Sequence, residues 1–268
     1  MMKRFGKSIG YLFYFLIVQI IVTYAFLFYK FATDMNWVTE MYSAFVDNGL
    51  FSTEYLGYVM ELTIPSLIVS DIVIILPMII KMIKNKENII RRENPKTILL
   101  VIGMGIILNV LVSVAVESLP ASITKSSYNE LVSMIMIDNI WITLLTTGIL
   151  APIVEEFIFR YGIQGIYIKK SVFAGIIVSS LMFGIAHMNP IQSTYAFILG
   201  LILGYIYYKT GNLLNSIILH VTINSTSVLY EYAPLMMQAY MCLIISIVSM
   251  ILVIYIVKET MQQLAIQN

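Results

Sequence analysis

The chain has 268 residues, of which 59% are hydrophobic and 12% charged, and its mean hydropathy is +0.88. A soluble domain carries about 25% charged residues, so this composition excludes a soluble enzyme, a disordered chain and a nucleic-acid-binding protein. The net charge of +1 favours no class of partner, and the single cysteine, Cys242, excludes an internal disulfide. We therefore expect an all-α, polytopic membrane protein embedded in a lipid bilayer.

Apolar stretches long enough, or nearly long enough, for the roughly 20 residues that cross a bilayer predict eight transmembrane helices. In chain order they cover 9–29, 62–80, 97–116, 139–168, 171–188, 191–208, 213–230 and 238–257. Segments 32–61 and 127–138 have compositions compatible with amphipathic helices. No repeat or linker separates domains, so one structural domain is expected, with N-terminal spans (1–126), a core (127–230) and a C-terminal span and tail (231–268).

The distribution of charge predicts the orientation of these spans. With the N-terminus in the cytoplasm, all but two of the 16 lysines and arginines fall on the cytoplasmic side, the exceptions being Lys30 and Lys125. The acidic residues concentrate in the outer segments, so the positive-inside rule favours eight spans with both termini in the cytoplasm. The first span is expected to be retained, because its apolar run is about twice that of a cleaved signal peptide.

Ionisable side chains inside predicted spans are costly and indicate function. Glu156 and Arg160 are four residues apart and are expected to form an ion pair on one helix face. Glu155 lies about 100° around the helix, so we expect it to be unpaired and available as a general base or acid. A purely structural ion pair would explain Glu156 and Arg160 but not Glu155. Pro152 predicts a bend that frees backbone carbonyls just before these groups.

Both histidines of the chain lie in apolar stretches. His187 shares a helix face with Phe183, and His220 shares one with Asn224, where two donors would form an oxyanion hole. Alone, His187 is equally compatible with a satisfied core residue, and the second pair with hydrogen bonding between helices. The hairpin of the fourth and fifth spans places Glu155 and His187 at similar depth, about 20–25 Å from its turn.

Three motifs in this order resemble the CPBP family of intramembrane proteases, which includes CAAX proteases and bacteriocin-processing proteins and is also called the Abi family: Glu155-Glu156-x-x-x-Arg160, Phe183-x-x-x-His187 and His220-x-x-x-Asn224. The resemblance covers roughly residues 127–230. One departure is Tyr161, where the family often has glycine. That difference concerns helix packing rather than the chemistry.

The resemblance implies an eight-helix fold with an intramembrane site that cleaves small peptides or membrane-associated proteins. By analogy with the family, Glu155 and His187 would activate a water molecule, while His220 and Asn224 would stabilise the oxyanion. The supporting residues would be Glu156, Arg160 and Phe183. Members are often labelled metalloproteases, and Glu155, His187 and His220 would form a ligand set that zinc accepts. A glutamate-dependent mechanism without a cofactor is nevertheless the favoured expectation.

Two other functions stay open at this point. A non-proteolytic immunity or scaffold protein would bind a peptide or a membrane partner without cleaving it. A small transporter is the third hypothesis, because buried Glu and His form proton relays and Asp71 is isolated in the second span. The Ile-, Lys- and Asn-rich composition favours a bacterial plasma membrane, where a prenylated substrate is not expected.

Overall fold

A computed structural model describes residues 2–49, 52–120, 139–234 and the single residue 247, and the three long ranges are helical without strands. The helices are α1 Met2–Thr33, α2 Met35–Asn48, α3 Thr53–Lys84, α4 Pro95–Glu117, α5 Ile140–Ile168, α6 Val172–Ala186, α7 Pro190–Thr210 and α8 Leu213–Glu231. Within the described residues, all of these except α2 and α6 are long and apolar enough to cross a membrane. The predicted all-α, polytopic membrane fold is confirmed.

The first seven predicted spans each coincide with a helix, and α2 occupies the segment for which an amphipathic helix was expected. The fifth prediction, 171–188, was too long, because α6 has only 15 residues and ends at Ala186. The predicted eighth span, 238–257, lies outside the described residues apart from residue 247, as does the segment 127–138.

Short turns with side-chain caps join α5 to α8 in succession. The side chains of Ser171, Asn189 and Asn212 accept backbone N–H groups at the starts of α6, α7 and α8. Gly211 ends α7 in the left-handed conformation, at a φ of 57°. Because the connections are this short, consecutive helices return past each other and bring the three motifs to neighbouring helices.

Helix α5 lies at the centre and packs against α1, α3, α6, α7 and α8. Its side chains Ile158, Phe159 and Ile163 are completely buried. Close contact between α6 and α7 depends on Gly184, where a Cβ would lie 2.7 Å from a backbone oxygen of α7. A larger residue there would force the helices apart, so this glycine is a packing requirement.

Helix α5 is not regularly α-helical. It widens into π-helical winding over Leu144–Leu150 and again over Glu156–Gln164. The N–H of Ala151 reaches back five residues to the carbonyl of Thr146, and Pro152 has no N–H to offer. Wide turns of this kind occur mostly at functional sites, and here they flank the two glutamates.

The carbonyls that Pro152 leaves without an N–H are satisfied by α8. Asn224 Nδ2 donates to the Thr147 carbonyl at 3.2 Å, and Ser225 Oγ donates to the Gly148 carbonyl at 3.2 Å. The predicted disturbance of the backbone is therefore present. Side chains of a neighbouring helix thus satisfy the carbonyls that Pro152 was expected to free.

The loop between α3 and α4 is hydrogen-bonded to the start of α8. The Arg91 backbone and Asn212 exchange two hydrogen bonds, of 3.1 and 2.9 Å, and Glu93 accepts from Asn212 and from Asn215. The hydrogen bond from Asn215 is the main reason why the pKa of Glu93 is lowered. This loop fixes the end of the helix that carries the third motif.

Candidate active site

A fully buried ion pair lies on α5. Glu156 and Arg160 have no solvent-exposed side-chain surface, and Glu156 Oε2 is 3.3 Å from Arg160 Nε. The same carboxylate oxygen accepts a hydrogen bond of 2.7 Å from Ser216 of α8. The predicted pairing of Glu156 with Arg160 is confirmed, and the pair joins α5 to α8.

His220 lies between the two adjacent glutamates. Its Nδ1 is 2.9 Å from Glu156 Oε1, and its Nε2 is 3.5 Å from Glu155 Oε2. Arg160 pairs with Glu156 and not with Glu155, as expected, while the contact of Glu155 with His220 was not predicted. Neighbouring carboxylates do point in different directions, but an imidazole has nitrogens on opposite edges and so contacts both. Glu155 remains the more accessible carboxylate, with its side chain 17% exposed.

The imidazole of His220 bridges the two carboxylates, because each of its ring nitrogens faces a carboxylate oxygen of a different glutamate. Within the same cluster, the Arg160 guanidinium offsets the charge of the Glu156 carboxylate, which lowers the cost of burying both groups.

Arg160 is held by α6 as well as by Glu156. Its Nη1 donates to Ser179 Oγ at 3.3 Å, and that hydroxyl donates to the Phe159 carbonyl at 2.6 Å. The guanidinium carbon lies 4.8 Å from the centre of the Phe183 ring, a cation–π contact. The arginine is thus fixed by a carboxylate, a hydroxyl and an aromatic face.

Phe183 connects the two histidines. Its ring meets those of His187 and His220 edge to face, with centroids 4.8 and 5.4 Å away. This confirms the expected contact with His187. His187 Nδ1 is 2.8 Å from the Phe183 carbonyl, so this nitrogen carries a hydrogen, and in the neutral imidazole Nε2 then keeps a lone pair.

The sequence predicted His187 within the fifth span. In the structure it lies immediately after the end of α6. The helix ends early because Met188 has a positive φ of 52° and Asn189 caps the next helix. The half-buried imidazole therefore stands at a turn. Among the described residues, no ion pair joins it directly to Glu155.

Sequence reasoning missed Ser216 and Ser179. A signal for Ser216 was present, since it lies four residues before His220 and eight before Asn224 and therefore continues their stripe on α8. Ser179 offered no such signal, because serine is common in apolar helices. Asn224 itself is half-buried and reaches α5 through the Thr147 carbonyl, which leaves its second amide hydrogen available.

A small cavity of about 50 Å³, with both apolar and polar residues in its lining, borders the side of Glu155 that faces α1 and α3. Its walls are formed by Phe15, Gln19, Leu67, Asp71, Thr146, Thr147, Ala151 and Glu155. Asp71 is only 5% exposed. The structure thus places the isolated acid of the second span beside the glutamate of the first motif.

The ligand set considered for zinc is not gathered in the structure. Among the described residues, no three His, Cys, Asp or Glu side chains are close enough to hold a metal ion. Glu155 and His220 face each other, but His187 is not grouped with them closely enough to complete such a set. The arrangement of Glu155, His187 and His220 therefore does not fit a His₂Glu metal site.

Comparisons with known proteins match the same part of the chain. Residues 137–226, which contain all three motifs, match the family model described as type II CAAX prenyl endopeptidase Rce1-like. The chain is 26% identical over 121 residues to the Bacillus subtilis (strain 168) protein named "Putative membrane peptidase YdiL". That alignment covers 45% of this chain and 50% of the relative, so the chain spans about half the relative's length. No solved structure matches.

Proposed function

We propose that the chain carries the core of a CPBP/CAAX-type protease and is an intramembrane endopeptidase of small peptides or membrane-associated proteins. The observation that supports this most strongly is the cluster of Glu155, His220, Glu156 and Arg160 within membrane-length helices. A buried ion pair alone would serve structure. Glu155, however, is partly accessible and borders the cavity, so the cluster also contains a carboxylate that can react with a bound water.

Glu155 is the proposed general base. A water bound to its carboxylate attacks the peptide carbonyl carbon, forming the new C–O bond while its proton passes to Glu155. His187 is the second acceptor for this water, because its Nε2 keeps a lone pair. The tetrahedral intermediate then collapses with cleavage of the C–N bond, and Glu155 returns the proton to the leaving amine.

His220 and Asn224 are the proposed donors to the oxyanion. As Glu155 takes up a proton, the negative charge moves from its carboxylate to the carbonyl oxygen of the substrate. The Nε2 of His220 lies beside Glu155 and, when it carries a hydrogen, can donate to that oxygen. The second amide hydrogen of Asn224 is available for the same oxygen.

The remaining members of the cluster hold His220 in place. Glu156 fixes its Nδ1 and Phe183 covers its ring, while Arg160 and Ser216 fix Glu156 in turn. Preorganised donors stabilise a transition state better than donors that must reorient. The residues that hold His220 would therefore contribute to catalysis by fixing its orientation. The mechanism uses no metal, in line with the unfavourable ligand geometry.

The proposed setting is a bacterial plasma membrane with both termini in the cytoplasm. The family match concerns prenyl endopeptidases, but a bacterial host would supply peptides without prenyl groups. We therefore propose unmodified peptides or membrane-protein segments as substrates. A non-proteolytic immunity or scaffold protein of the same family is the alternative that experiment must separate.

Comparison of membrane-bound peptides in four strains tests the proposal. Cells with the wild-type protein should contain cleavage products that are missing from Glu155→Ala and His187→Ala cells with equal amounts of inserted protein. Glu54→Ala removes an exposed carboxylate at the start of α3 and should leave the products unchanged. A biological phenotype that survives both active-site substitutions would instead support a non-proteolytic function.

A further inference from the structure

Asp71 of α3 is a buried carboxylate that the mechanism above does not use. It is 5% exposed and, among the described residues, no Lys, Arg or His forms an ion pair with it. Its charged neighbour is Glu155, which repels it. Such a residue in a membrane interior is costly unless water or a partner stabilises it.

The cavity between Asp71 and Glu155 has the size and polarity to hold water. Its volume is about 50 Å³. A buried water needs about 10–15 Å³ on this measure, so the cavity has room for roughly three waters. Asp71, Glu155, Gln19 and Thr147 are among the residues that line it, and they offer the several polar partners that an ordered water requires.

We propose that Asp71 is a positioning residue, which holds with Glu155 the short chain of waters from which the hydrolytic water is drawn. This inference rests on the proposed function. Glu155 faces His220 with one oxygen, while its cavity side is open to water. Asp71 accepts a hydrogen bond from the water next to the attacking one, and the proton of the reaction passes to Glu155. After each turnover the cavity supplies the next water.

This role predicts a loss of turnover without a loss of substrate binding. Asp71→Asn keeps the shape of the side chain but weakens acceptance of hydrogen bonds, and Asp71→Leu removes it. A misplaced reacting group costs up to about 10²-fold in rate, so we expect about tenfold lower kcat for Asp71→Asn and about 10²-fold for Asp71→Leu. KM and the thermal unfolding midpoint of Asp71→Asn should stay unchanged.

Ser70→Ala is the matched control. Ser70 is the buried neighbour on α3, but its hydroxyl donates to the Leu67 carbonyl of its own helix and does not border the cavity. It should keep wild-type kcat and KM. An Asp71→Asn protein with wild-type kcat, or one that loses only KM or stability, would overturn the positioning role.

Thiol labelling tests hydration of the cavity without any activity. In a Cys242→Ser background, Asp71→Cys should react with a small water-soluble methanethiosulfonate, whereas Ser70→Cys should not. An unreactive Asp71→Cys protein refutes the water chain even if the enzyme is active. If instead Glu155→Gln still cleaves substrate, or the wild type cleaves none, the proposed function fails while labelling still decides whether the cavity is wet.

Discussion

Ser216 provides a sharp test of how the buried cluster is held. Its hydroxyl is fully buried and donates to the charged Glu156 carboxylate at 2.7 Å. A hydrogen bond to a charged group contributes about 1.5–3 kcal/mol of net stability. Ser216→Ala removes the donor without adding volume, so we expect the free energy of unfolding to fall by about that amount. Since 1.4 kcal/mol is tenfold, the unfolding equilibrium constant should rise about 10- to 150-fold.

Ser180→Ala is the matched control for this substitution. Ser180 is also fully buried in a membrane helix, but its hydroxyl donates at 2.7 Å to the Ile176 carbonyl, a neutral acceptor of its own helix. Its loss should cost only about 0.5–1.5 kcal/mol. Reversible unfolding of both variants in mixed detergent–lipid micelles gives the two values. The reasoning is refuted if Ser216→Ala costs no more than Ser180→Ala.

A double-mutant cycle identifies the acceptor. In a Glu156→Gln background the carboxylate is already gone, so the added cost of Ser216→Ala should shrink by at least about 0.5 kcal/mol. Equal costs in both backgrounds would show that the hydroxyl acts through its longer contact, the 3.3 Å hydrogen bond to the Leu213 carbonyl. The cycle therefore separates the ion cluster from ordinary helix packing.

Three further predictions concern other parts of the site and fold. Asn224→Ala should lower kcat about 10²–10³-fold with little change in KM, because an oxyanion donor is lost; a change confined to stability would show that the amide serves only the α5 backbone. In the Glu93→Gln protein, the free energy of unfolding should fall less steeply than in the wild type as the pH drops below about 4. The pKa of Glu93 is lowered by the hydrogen bond from Asn215, so its stabilisation is present above the unfolded-state pKa and lost as pH falls through the folded one; an unchanged acid limb in unfolding measurements would contradict this. Gly184→Ala should destabilise by about 1–3 kcal/mol because its Cβ meets a backbone oxygen, whereas Gly103→Ala, with open space around it, should not; equal unfolding free energies would contradict the close contact.

Seven of the eight spans predicted from hydropathy coincide with described helices, because crossing a bilayer requires long apolar segments whatever their neighbours are. The ends of these helices were predicted less accurately. At His187, for example, the conformation of Met188 and the cap at Asn189 end α6 earlier than predicted. The widened turns of α5 had one local signal, Pro152. The wide turn is accompanied by hydrogen bonds from side chains of α8 to its carbonyls. No pattern in the sequence predicts those hydrogen bonds.

The sequence predicted which residues belong to the candidate site, but not all of the contacts that they make with one another. Spacing along one helix fixed the contact between Glu156 and Arg160, because residues four apart share a face. The position of His220 between two carboxylates depends on how α8 packs against α5, a long-range fact that local spacing does not contain. Asp71 was noticed as an isolated acid, and only the fold shows that it borders the cavity beside Glu155.

The most direct test of the central claim is peptide cleavage by purified protein in liposomes, with Glu155→Gln as the comparison and a strong chelator present throughout. We predict that the wild type stays active in chelator. Glu155→Gln should lose at least about 10²-fold in kcat, because the amide cannot take the proton of the attacking water. Retained activity in Glu155→Gln would contradict the account, as would loss of wild-type activity in chelator that zinc restores.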